Sequence, residues 1–159
     1  MRILKTILPV LLIAGSVAAC SARSSQREKT DKLESKVENK KYVIPIGKDE
    51  FNKRVADLSD NTKEWKYLGD KPSIIDFYAD WCVYCRKLAP VLEELAAEYD
   101  GKIYIYKVDT EKEREIAAAF GVRALPTLLF IPINGEPQVA QGAVPKEDLK
   151  RFIDSVLLK

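Results

Sequence analysis

Ser73-Ile74-Ile75-Asp76-Phe77-Tyr78-Ala79-Asp80-Trp81-Cys82-Val83-Tyr84-Cys85 decides the fold, because an apolar run leads straight into two cysteines separated by two residues. Ser73 to Ala79 reads as a buried strand. A helix beginning at Cys82 would aim unsatisfied backbone N–H groups and the positive end of its dipole at that sulfur, stabilising the thiolate. The thiolate is the form that attacks disulfides, and two thiols so spaced can close into a small disulfide and open again. Alone, a single Cys-x-x-Cys also fits half a zinc site or a haem attachment, so its surroundings must decide.

Downstream of the pair, Leu88, Val91, Leu92, Leu95, Ala96 and Tyr99 recur three and four apart and define one buried helical face closed by Gly101. Pro90 lies inside that helix and is expected to kink it. Ile103 to Val108 alternates like a strand, Lys112 to Phe120 is a helix stopped by Gly121, and Thr127 to Ile131 is a further strand. Asn134-Gly135 signals a hairpin, with Gln138 to Gln141 returning. Pro145 opens a final helix whose stripe is Leu149, Phe152, Ile153, Val156 and Leu157.

Upstream, Tyr42 to Ile46 suits an edge strand because of Pro45. Asp49 to Leu58 carries Phe51, Val55 and Leu58 at helical spacing, with Asp49 as the expected cap. Between Ser59 and Lys71, Trp65 and Tyr67 are expected to pack an inserted loop onto the domain. The order is βαβαβαββα, an α/β arrangement with a central mixed β-sheet flanked by helices.

The remaining N-terminal residues read differently. Arg2 and Lys5, the apolar run Ile7 to Ala14 and small residues up to Cys20 have the layout of a secretory signal peptide. The run is too short to span a membrane. Val17-Ala18-Ala19-Cys20 resembles a bacterial lipobox, which implies cleavage before Cys20 and lipid on its sulfur; the bland reading is an ordinary signal peptide cut near Ala19. Residues 21–41 are rich in Ser, Lys and Glu with Leu33 and Val37 as the only large apolar side chains, which predicts a flexible tether with a reach of roughly 25 Å, a short solvated helix being the competing reading. The expected organisation is therefore a signal peptide at 1–19, a lipidated cysteine and tether at 20–41, and one domain at 42–159.

Composition closes off several chemistries. The chain has 26 basic and 24 acidic side chains, and loss of residues 1–19 removes Arg2 and Lys5, leaving a balanced charge that gives no reason to bind nucleic acid. It contains no histidine, which excludes His-based triads, His-containing zinc sites and the Cys-x-x-Cys-His haem motif. A four-cysteine zinc site would need two chains, and no Gly-rich phosphate loop follows any strand.

The residues Asp76-Phe77-Tyr78-Ala79-Asp80-Trp81-Cys82, Cys85, Ala89-Pro90, Gly121-Val122-Arg123-Ala124-Leu125-Pro126-Thr127 and Gly142-Ala143 together resemble the thioredoxin family over roughly Tyr42 to Leu158. With the lipobox, the chain resembles a membrane-tethered lipoprotein of that family in the bacterial cell envelope. The resemblance implies that Cys82 attacks a substrate disulfide and that Cys85 resolves the mixed disulfide. Cys82 is expected to be the more exposed and more acidic thiol.

Asp76 falls in the middle of an apolar strand, where a charged carboxylate is costly, so a raised pKa is expected. It matches the family's buried acid, which implies that it moves a proton for Cys85 through water. The lysine that often accompanies that acid is missing on this reading, with Ile105 in its place. Pro126 matches a proline held cis beside the cysteines, implying that it keeps metal from the thiols and leaves the backbone of Leu125 free to pair with an extended substrate. Trp81 is expected to shield the disulfide and contact substrate, with core packing as the alternative. Val83 and Tyr84 replace the family's common Gly-Pro; they border the substrate and influence the reduction potential.

The expected function is a protein thiol–disulfide oxidoreductase, acting as a monomer and reducing disulfides of cell-envelope proteins. It needs no metal or cofactor beyond the redox-active Cys82–Cys85 pair. Its partners are disulfide-containing proteins, a transmembrane thiol donor, and the inner or outer membrane through Cys20. A disulfide oxidant or isomerase is the nearest alternative, and a non-catalytic client-binding scaffold is the rival from another class.

Overall fold

The computed structural model describes residues 40–59 and 65–159. The predicted signal segment, Cys20 and all but the last two residues of the tether lie outside the described residues. Strands β1 (Ile44–Pro45), β2 (Ser73–Tyr78), β3 (Tyr104–Asp109), β4 (Thr127–Ile131) and β5 (Gln138–Gln141) form one sheet in the order β1-β3-β2-β4-β5. The pairs β1–β3 and β3–β2 are parallel, whereas β2–β4 and β4–β5 are antiparallel. Pro45 sits at the sheet edge, where its missing N–H breaks no interior ladder.

Helices α1 (Lys48–Arg54), α2 (Val83–Glu98), α3 (Arg114–Ala119) and α4 (Lys146–Phe152) cover the two faces, and α4 continues into a π-helical turn over Ile153–Leu157. Side chains alternate across the strands, so the sheet feeds two half-cores. Ile74, Ile105, Leu128 and Phe130 meet Leu88, Leu92 and Leu95 of α2 and Leu149 of α4. On the other face Ile75, Phe77, Val108 and Leu129 meet Phe51 of α1 and Ile116 of α3. Coverage of both faces explains why β2 and β4 are apolar almost throughout rather than alternating.

Three local expectations need correction. Asp49 is not the cap of α1: Gly47 occupies that position, and the Glu113 carboxylate accepts the Lys48 N–H at 3.2 Å. A distant acid has taken the cap's role, and a Cβ at residue 47 would approach Glu113 Oε1 to 2.8 Å. The helix also stops at Arg54 rather than Leu58. Pro145 is the residue before the first turn of α4 rather than within it.

The loop after α1 packs as expected. Trp65 meets the Phe120 ring edge-on at 5.9 Å, and the Tyr67 hydroxyl donates to the Lys71 carbonyl at 2.6 Å. The start of the domain is pinned to α2 by Glu93, which accepts the N–H groups of Tyr42 and Val43 at 2.8 and 3.1 Å. Helix α2 runs on past Pro90 without interruption.

Candidate active site

Strand β2 ends at Tyr78, and a turn closed by the Cys82 N–H on the Ala79 carbonyl (3.1 Å) delivers the first cysteine to the start of α2. Cys82 is the cap itself: its sulfur accepts the Cys85 N–H at 3.1 Å. A thiolate at that sulfur would receive the same N–H together with the helix dipole, both of which favour the anion. Cys82 and Cys85 form a disulfide with Cα atoms 5.3 Å apart. The expected difference in exposure is absent, because the residues are 4% and 3% exposed, packed with Ala79 against Tyr78 and Leu125.

Around this buried disulfide the surface is apolar and open. Trp81, Val83 and Tyr84 are 65%, 51% and 61% exposed, which rules out core packing for Trp81. Leu125 approaches from the loop before β4, and the Leu125–Pro126 peptide bond is cis, the geometry the resemblance implies. The loop is held from two sides: the Thr127 hydroxyl donates to the Ala124 carbonyl at 2.7 Å, and the Gly142 N–H donates to the Pro126 carbonyl at 2.8 Å. Gly142 does this at φ 89°, a backbone conformation that favours glycine.

Asp76 is 4% exposed, and its Oδ1 has no hydrogen-bond partner among the described residues. Burial pushes its pKa up to about 7, while the Lys107 ammonium opposes the rise. A cavity of about 230 Å³ separates the acid from the second cysteine, lined by Asp76, Cys85, Arg86, Ala89 and Lys107. A cavity of this size, with the Asp76 carboxyl and the Lys107 ammonium in an otherwise mainly apolar wall, has room for water to link the two groups.

Lys107 is the residue that sequence reasoning missed. In the parallel register Asp76 lies opposite Lys107, whereas Ile105 faces Ile74 within the core. Matching the ends of strands predicted over 73–79 and 103–108 puts Asp76 beside Ile105. The real ends, Tyr78 and Asp109, move it to the lysine. The available signal was Lys107 itself, the one cation in an otherwise apolar and aromatic strand that ends in Asp109.

A reversible dithiol at a helix start, flanked by an exposed apolar surface and a buried acid, defines a protein thiol–disulfide oxidoreductase whose redox group is the Cys82–Cys85 disulfide. Among the described residues no cluster of three or more Cys, Asp or Glu side chains is arranged to hold a metal. The thioredoxin family model matches residues 42–155, and the chain belongs to the thioredoxin family. It is 44% identical to a thioredoxin of Borreliella burgdorferi over 111 residues, 70% of this chain and 94% of that one. It is 37% identical to thioredoxin 1 of a Nostoc species over 64% of this chain and 96% of the relative. The crystal structure of chloroplastic thioredoxin z shares the fold, with a TM-score of 0.60, 24% identity, and coverage of 71% of this chain and 92% of that one.

Proposed function

We propose that the protein reduces disulfides of proteins outside the cytoplasm, held at a membrane by lipid on Cys20. The Cys82 thiolate attacks one sulfur of the substrate disulfide, and the other sulfur leaves as a thiolate that takes up a proton. Asp76 then accepts the Cys85 proton through water, and the Cys85 thiolate attacks the Cys82 sulfur. The reduced product departs and the Cys82–Cys85 disulfide is restored. A transmembrane dithiol donor returns two electrons, because exported compartments lack the cytosolic reducing pool.

The observation that carries the reading is the disulfide at the start of α2 with a cavity leading from Cys85 to a buried acid. Export rests on the signal-like residues 1–19, lipidation on Val17-Ala18-Ala19-Cys20, and the spacing from the membrane on the polar tether at 20–41. Cys82→Ser should abolish dithiol-dependent insulin reduction, and Cys85→Ser should accumulate the mixed disulfide; full activity in either overturns the assignment. Equilibration with glutathione should give a potential near that of reducing thioredoxins, about −270 mV, and a value near about −120 mV makes the protein an oxidant. Cys20→Ser should move the protein from the membrane to the soluble fraction of its cell.

A further inference from the structure

Beside Trp81 an open groove of about 450 Å³ has Trp81, Val122 and Leu125 among its apolar lining, with Arg114 and Arg123 as its cations. Leu125 connects it to the cysteines. Both arginines are exposed, and neither has a hydrogen bond or ion pair among the described residues. Of the acids nearest them in sequence, Glu111 is exposed and does not line the groove, and three others are committed elsewhere. Glu113 accepts the Lys48 N–H, Glu115 pairs with the Lys48 ammonium, and Asp109 pairs with Lys112 at 2.8 Å. Asp80 lines the Asp76 cavity instead of this groove.

Charge at the start of α3 is therefore segregated, with Glu113 and Glu115 turned toward the start of α1 and Arg114 toward the groove. The chain as a whole is almost neutral, so two unpaired cations beside the redox site are a local concentration rather than a general basic surface. Lys87, over the Tyr84 ring at 5.8 Å, adds a third cation on α2.

We propose that this groove selects clients whose target cysteine lies in an extended, acidic segment. An apolar client side chain would sit on Trp81 and Leu125, and a flanking Asp or Glu would meet Arg114 and Arg123. The client's backbone can pair with Leu125, whose own N–H and carbonyl have no backbone partner among the described residues. The inference rests on the reductase reading and adds the substrate class.

Three peptides containing the same internal disulfide and fluorescent reporter, flanked by Glu, Gln or Lys, separate the two claims. With full-length protein and excess dithiol at low salt, kcat/KM should rank Glu over Gln over Lys, with roughly five-fold between the first two, as one or two exposed charge pairs provide. About 300 mM salt should compress the ranking. Arg114→Glu combined with Arg123→Glu should invert it, read as the Glu-to-Lys ratio within the variant. Equal turnover of the three peptides by the unaltered protein, or an unchanged ratio in the double variant, overturns the charge selection and leaves the reductase reading standing. No turnover of any peptide or of insulin overturns both.

Discussion

Asp76 binds its proton more tightly in the folded chain than in the unfolded one, with a pKa of about 7 caused by burial. The unfolded value is about 3.9, so between about pH 4 and pH 7 the folded state holds the extra proton. Stability is then greatest below that window and falls as pH rises through it, by on the order of 4 kcal/mol if the shift acts in full. Asp76→Asn should remove this slope: the denaturant midpoint of the unaltered protein drops between pH 5 and pH 8, and that of the variant stays level. Parallel curves would show that the acid is solvated. The pH–rate profile for disulfide reduction should lose its inflection near neutrality in the same variant. Because Lys107 opposes the rise, Lys107→Met should move that inflection to higher pH. The acid and both thiols could be recognised from local pattern and resemblance, but the partner cation depends on strand register, and an error of two residues hid it.

At the level of elements, the loop before β4 and the end of β5 form one device. The Gly142 N–H holds the Pro126 carbonyl at φ 89°, and beyond the adjacent residues no heavy atom lies within 4 Å of where a Cβ would stand. The cost of Gly142→Ala therefore comes from backbone conformation rather than crowding. It should lower stability by about 1–2 kcal/mol in urea titration. An unchanged midpoint would mean that the loop relaxes freely. Helix α2 was readable because its apolar residues repeat at helical spacing and its first residue follows the cysteine. The cap of α1 was not, since Glu113 reaches it from 65 positions away.

Across the whole domain, the two half-cores share one sheet, and Phe120 joins the inserted loop to the half built on α1 and α3. Its ring lies 5.6 Å from Phe51, 5.9 Å from Phe77 and 5.9 Å from Trp65. Phe51 is fully buried and Trp65 only partly. Phe51→Ala should cost about 3–5 kcal/mol and Trp65→Ala less, measured by chemical denaturation. Equal costs would make the loop as integral to the core as α1. The ion pairs of Lys146 and Lys150 with Glu94 and Glu98 link α4 to α2 at the surface and contribute little beside these contacts.

By itself the sequence determined the succession of elements, the cysteine pair and the buried acid, because hydrophobic period, turn residues and motif spacing are local properties of the chain. Tertiary structure alone decided that Lys107 faces Asp76, that both cysteines are equally buried, that Glu113 caps α1, and that Arg114 and Arg123 share a groove with Trp81. Each of these depends on strand register or on helices meeting across the sheet, and sequence spacing carries no direct record of such encounters.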